Sequence, residues 1–178
     1  MCISDSIWTG KVSDAGHFEG FLTATTGILI ADGTVLTETK TAAFDAANII
    51  ANMEKAIQKS PVQLYGSENL RMYMGTEAYR FYLAAVSTLG FAQLYNMNDD
   101  YQPLYNGVKI ELCPGMPADH IVVAENTNLF FGTDLISDQT EIRMLDMSAL
   151  DGSDNVRVVA KFSGSIQSGV GKDIVVLK

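Results

Sequence analysis

Apolar residues recur at two periods along this chain, and the change of period divides it. Over residues 42–59, AAFDAANIIANMEKAIQK, Ala46, Ile50, Met53 and Ile57 follow one another at spacings of four, three and four, one face of a helix. Thr41 is placed to cap it, Asp45 suits its first turn and Lys55 and Lys59 its last, and Ser60-Pro61 stops it. A strand is expected at LRMYM, residues 70–74, and after Gly75-Thr76 a second helix over residues 77–89. Tyr79, Leu83, Val86 and Leu89 form its buried stripe and Gly90 its stop. From residue 106 the period becomes two: Val108, Ile110 and Leu112 alternate with Lys109, Glu111 and Cys113. HIVVAE, at 120–125, reads as a strand covered on both faces. NLFF, EIRMLDM and VRVVAKF continue the strand pattern. In VRVVAKF, Val156, Val158, Ala160 and Phe162 are expected to point inward, and Arg157, Lys161 and Ser163 outward. GSIQSGVGKD reads as a glycine-rich hairpin turn before a terminal strand, IVVLK.

Residues 1–41 carry an apolar patch, FLTATTGILIA, and a turn at Asp32-Gly33, and read as loops with one or two weak strands. The expected organisation is thus an irregular segment over 1–41 and one domain over 42–178. Helices come mostly first and strands later, so the fold class expected is α+β, a central sheet flanked by helices.

Composition narrows the functions open to such a domain. At 178 residues the chain is long enough for one self-supporting core. Twelve basic against 21 acidic residues give a net charge of −9, and the basic ones are scattered; specific nucleic-acid binding is not expected of it. No run approaches the length of a membrane helix, and MCISDSIWTGK does not read as a secretory signal. Two cysteines, Cys2 and Cys113, make no disulfide framework, and reduced thiols in a cytosol are the simpler reading.

Candidate chemistry is sparse. Lys172 in SGVGKD lacks the preceding glycine of a phosphate loop, because Ile166 occupies that position, and Asp173 follows where Ser or Thr is needed. His17 and His120 have no second ligand at metal spacing. Cys113 with His120 is conceivable as a nucleophile pair, but no basic group or helix N-terminus lies near in sequence to lower the thiol pKa. Asp134, Asp138, Glu141, Asp146, Asp151 and Asp154 gather in the C-terminal half without calcium-loop spacing. No G-x-S-x-G elbow occurs. No catalytic residue, cofactor or metal ligand is therefore assigned.

Taken in order, several segments resemble the major capsid proteins of tailed bacteriophages. WTGKVSDAGHFEGFL is similar to their glycine-rich turn before a Gly-Phe/Ile-Leu strand, and AFDAANIIANMEKAIQKSPVQL to a helix with a short stop. LRMYMGTEAYRFYLAAV resembles the strand, turn and helix that follow. YNGVKIELCPGMPADHIVVAENTNLFFGTDL is similar to a run of Gly-x-x-Val strand, Met-Pro loop and strand, and VRVVAKFSGSIQSGVGKDIVVLK to the closing strands. The likeness extends over residues 7–178 in the family's order.

The resemblance implies the phage capsid fold, with an axial lobe and part of a peripheral lobe, and a structural role without catalysis. It implies copies of the chain as partners in an icosahedral shell, located in the virion and, during assembly, in the bacterial cytoplasm. Members of the family have an N-terminal arm, an extended loop and a spine helix ahead of the matched region. Their absence here leads to the expectation that this is a C-terminal portion, and that the isolated chain is a monomer or small oligomer. No cross-linking residue is carried over. The contact with neighbours is placed in the loop YNMNDDYQPLY, residues 95–105, through Tyr95, Asp99, Asp100, Tyr101 and Tyr105, a mixture of aromatic anchors and polar rim. Two other classes compete: a small non-catalytic interaction or adhesion module, favoured by a helix-poor sandwich, and an enzyme with dispersed carboxylates, favoured by a deep acidic pocket.

Overall fold

The computed structural model describes residues 7–10, 20–23, 27–88, 103–133, 142–147, 152, 155–160 and 164–178. Among its helices are α1 (Ile28–Ala31), α2 (Ile49–Lys59) and α3 (Thr76–Thr88). Its strands, in chain order, are β1 (Leu36–Glu38), β2 (Leu70–Met74), β3 (Leu104–Tyr105), β4 (Val108–Leu112), β5 (Ile121–Glu125), β6 (Leu129–Gly132), β7 (Ile142–Asp146), β8 (Val156–Ala160), β9 (Ser165–Ser168) and β10 (Val175–Leu177). The chain divides into two compact units, one of residues 1–130 and 166–178, the other of residues 131–165.

The first unit is built on a six-stranded mixed sheet in the order β1-β10-β5-β2-β4-β3. β2 runs parallel to β4 and β1 parallel to β10, while β5 lies antiparallel to both β2 and β10. Successive side chains on a strand point to opposite faces, and the two faces have separate cores. Met72, Met74, Ile121, Val123, Val175 and Leu177 face α2 and α3, meeting Met53, Ile57, Ala78, Tyr82 and Ala85. Tyr73, Val122, Ala124 and Val176 face the other way, onto Trp8, Phe21, Leu22, Leu29 and Val35 of the N-terminal segment. Ile121 to Ala124 are all fully buried, as the unbroken apolar run in HIVVAE requires.

Both long helices form where the apolar period predicts, with adjusted ends. α2 begins at Ile49, not at residue 42. Asn48 Oδ1 accepts from the Asp45 N–H, its Nδ2 donates to the Ala43 carbonyl, and a turn over 46–48 precedes the helix. Asn48 stands at the N-cap position expected of Thr41, its side chain bonding back to the preceding turn and not to a helix N–H. Thr41 instead donates to buried Asn52 Oδ1 through its N–H at 3.1 Å and its hydroxyl at 3.3 Å. In α3 the buried stripe is Ala78, Tyr82, Ala85 and Val86, one position round from the Tyr79 and Leu83 expected. Ala78 and Ala85 join Tyr82 and Val86 in the core on the helix side of the sheet.

Three readings of the pattern are corrected. Residues 1–41 do hold one short strand, β1, but in FLTATTGILIA Ile28–Ala31 is one helical turn, and Phe21 and Leu22 lie in a turn whose N–H groups donate to the carbonyls of Ile7 and Trp8. Ser165–Ser168 is not part of a hairpin turn but a strand paired with β6, its Ile166 and Ser168 buried in alternation. Lys172 follows in a single 3-10 turn, Gly171–Asp173.

The third correction is in the second unit. β7 and β8 form an antiparallel ribbon in which Met144 pairs with Val158 and Asp146 with Val156. Val156 is 63% and Val158 58% exposed, where an inward face was expected. The alternation is real, but among the described residues no second layer covers a two-stranded ribbon, so period two does not make burial. Phe162, Lys161 and Ser163 lie outside the described residues.

Gly75 ends β2 where the next loop crosses it. A Cβ there would stand 2.9 Å from the Met116 backbone carbonyl, a contact only a backbone shift relieves. Gly75→Ala is expected to lower stability by about 1–3 kcal/mol, as overpacking does, measured as a fall in the urea midpoint at unchanged slope.

Candidate functional site

The loop CPGMPADH joins β4 to β5 and carries one of the chain's two cysteines and one of its two histidines. The Cys113 N–H donates to the Met74 carbonyl at 2.9 Å, so the loop extends the β2–β4 pairing before turning. Met116 N–H then donates to the Cys113 carbonyl, and Met116 is buried. The loop is held by packing and backbone bonds.

Its titratable groups are tuned away from reactivity. Burial pushes the Cys113 thiol up to about 11, with a Trp8 hydrogen bond opposing and Glu111 adding to the rise. Such a thiol is protonated at neutral pH and is a poor nucleophile. Tyr73, beneath it, is raised to about 12, first by burial and then by Cys113 and Glu111, against Arg71. His120 is half-buried, and its proton affinity is lowered by burial and by Lys40 and Lys178, against Asp119. The pair considered as a nucleophile and base therefore has its thiol pKa moved the wrong way.

Among the described residues no three His, Cys, Asp or Glu side chains gather as metal ligands. Of the C-terminal acidic residues only Asp146 lies within the described set, exposed on β7. A shallow depression of about 380 Å³ on α3 is lined by Glu77, Arg80, Phe81 and Ala84. It holds one carboxylate beside one guanidinium, unlike the deep acidic pocket that the enzyme reading requires.

Of the five residues assigned to neighbour contact, Tyr95, Asp99, Asp100 and Tyr101 lie outside the described residues. Tyr105 belongs to β3 and is half-buried. Its ring meets Tyr82 edge-on, centroids 6.3 Å apart at 85°, and its hydroxyl donates to the Ile50 carbonyl at 3.4 Å. Burial, then Glu54, raises its pKa. Tyr105 thus ties the edge of the sheet to α2 and α3. It stands at the start of a tight hairpin, Leu104 to Lys109, whose turn residues Asn106 and Gly107 both have positive φ, 50° and 81°. Sequence reasoning kept this strand inside a loop, although Asn-Gly between apolar residues is a hairpin signal.

Among the described residues no helix is long and apolar enough to cross a membrane. Apolar side chains stand exposed on β6, Phe130 and Phe131, and on the ribbon, Ile142, Met144, Val156 and Val158.

No protein-family model matches the sequence, and no curated protein does. Solved structures match the fold. A chain from a Mycobacterium phage superposes at a TM-score of 0.63 with 13% identity, covering 85% of this chain and 55% of that one. The capsid of an empty GTA particle gives 0.62 with 16% identity, covering 98% and 60%. A virus-like particle from Pyrococcus furiosus gives 0.54 with 11% identity, covering 84% and 57%. The chain thus spans somewhat more than half the length of these proteins. A mixed sheet with helices laid on one face, matched over nearly its whole length, gives this chain the α+β fold of phage capsid proteins.

Proposed function

We propose that this chain is a structural subunit of a phage or prophage capsid, joining copies of itself laterally into an icosahedral shell, and that it performs no catalysis. One observation carries the reading: 98% of the chain superposes on the capsid chain of a GTA particle. The chemistry of the loop agrees with it, since its thiol is held protonated and its residues serve packing. The sandwich expected of an adhesion module is helix-poor, whereas α2 and α3 pack against one face of this sheet.

We further read the chain as the C-terminal, axial and peripheral-lobe portion of such a subunit, with residues 95–105 contacting neighbours in the shell. Virion and, before assembly, bacterial cytoplasm are its expected locations. Spanning about 60% of the matched capsid chain, it is expected alone to be a monomer or small oligomer, and light scattering showing closed particles would overturn that part. The reading as a whole is tested by inducing particles from the source, purifying them and quantifying their proteins by mass spectrometry. The sequence should be among the most abundant polypeptides; particles that lack it would refute the capsid role. Tyr101→Ala should leave the folded fraction unchanged while reducing incorporation into those particles.

A further inference from the structure

At one corner of the central sheet, β1 and β10 end and β5 begins. The Lys178 N–H donates to the Glu38 carbonyl and the Lys40 N–H to the Lys178 carbonyl, each at 3.0 Å, which continues the β1–β10 pairing. Charged groups crowd this corner. Lys40 Nζ lies 3.2 Å from Asp119 Oδ1 and 5.6 Å from the centre of the Phe44 ring, and Lys59 pairs with Glu38 at 3.5 Å. His120 stands among them just before β5, with Lys40, Lys178 and Asp119 as the charges acting on it.

The Nδ1 atom of His120 is buried and has no hydrogen-bond partner. In the neutral ring with its proton on Nε2, that position is an unpaired lone pair, which costs less than an unpaired charged donor would. Protonating the ring puts an N–H with cationic character in the same place, without an acceptor. The same proton adds a positive charge beside Lys40 and Lys178, and Asp119, the carboxylate acting on the ring, is already held by Lys40.

We propose that His120 is an acid-sensitive latch for this corner: uncharged, it leaves Asp119 to Lys40, and protonated, it competes with Lys40 for Asp119 and releases residues 39–43 from the sheet. Those residues are otherwise held by Lys40 through β10 and by Thr41 through Asn52 and Lys55 of α2. Loss of the Lys40–Asp119 pair leaves the α2 bonds in place, so the change is local. Phe44, buried in the core on the helix side, marks its limit.

The direction with pH follows from the two states. An unfolded histidine takes its proton near pH 6.5; in the folded corner it does so at lower pH. Between those values the unfolded chain binds more protons, so stability falls as pH drops below about 6.5 and levels off once the folded ring is charged. The test is an NMR titration between about pH 5 and 8. It follows the His120 ring, the amides of Lys40 and Lys178, and hydrogen exchange at Lys40 corrected for its intrinsic pH dependence. The His120 midpoint should lie below the ordinary value, and both amides should shift with that same midpoint as protection at Lys40 is lost. Lys178→Gln, at an exposed position, should move the midpoint up, and His120→Gln should abolish the amide transition. A His120 midpoint at or above the ordinary value, amides that do not follow it, or a midpoint unmoved by Lys178→Gln would overturn the latch. If His120→Gln does not fold, the Lys178 variant and the parent titration decide alone.

Discussion

Val123→Asp should leave the chain largely unfolded at neutral pH, with a cost of about 5 kcal/mol, while Val158→Asp should change stability by no more than about 0.5 kcal/mol. Val123 is fully buried in β5, paired with Met72 on one side and Val175 on the other, with α2 and α3 over its face. A carboxylate there has no cation among the residues of that core and must either stay protonated or open the sheet. A domain of this size has a total stability of about 5–15 kcal/mol, so the loss is comparable with all of it. Val158 is 58% exposed on the ribbon, where a carboxylate stays in water. Soluble yield and urea midpoints of the two variants measure the contrast. A Val158 variant as damaged as the Val123 one would mean that the ribbon is covered within the folded chain.

That contrast also marks how far the sequence could be read. The central strands were legible because burial on both faces leaves its own trace: Ile121 to Ala124 form an unbroken apolar run. The helices were legible from Met53, Ile57 and Val86, which recur on the sheet side. The two strands of the ribbon were legible too, but their exposure was not, because alternation in Val156 and Val158 reports only that a strand has two unlike faces. Whether the apolar face is covered depends on another segment or another molecule, and one strand cannot encode that. The N-cap moved from Thr41 to Asn48 for a similar reason: both types can cap, and the buried amide of Asn52 takes Thr41 for its own hydrogen bonds. Of the residues assigned to neighbour contact, Tyr105 reads as a loop aromatic until the Asn106-Gly107 hairpin is recognised, which turns its ring onto Tyr82. The latch at His120 had no trace in the sequence at all. Lys40, Asp119, His120 and Lys178 are brought together only by the strand order β1-β10-β5.

Asn128 is the other residue whose importance the sequence hides, and Asn128→Ala should cost about 2–4 kcal/mol. NTN reads as a polar turn, but it is a 3-10 turn between β5 and β6, and Asn128 is 9% exposed. Its Oδ1 accepts from the Val170 N–H at 2.7 Å, and its Nδ2 donates to the Val170 carbonyl at 2.9 Å. The side-chain amide thus closes both backbone groups of Val170 as a neighbouring strand would, while Gly169 N–H donates to the Asn128 carbonyl. Gly169 is needed for the approach, since a Cβ there would lie 2.6 Å from Asn128 Oδ1. Truncation to Ala loses two bonds of about 1 kcal/mol each and strands a part-buried donor and acceptor besides. Asn128→Asp separates hydrogen bonding from simple packing. It keeps the acceptor for the Val170 N–H but turns a second oxygen toward the Val170 carbonyl, so the charged form is disfavoured and the carboxyl pKa rises on folding. The folded variant then binds its proton more readily than the unfolded one, and its stability relative to the parent should improve as pH falls toward about 4, where a protonated carboxyl can donate in place of Nδ2. Urea midpoints of parent and variant across that range measure the difference. A variant that tracks the parent at every pH would show that the amide nitrogen does not donate to Val170.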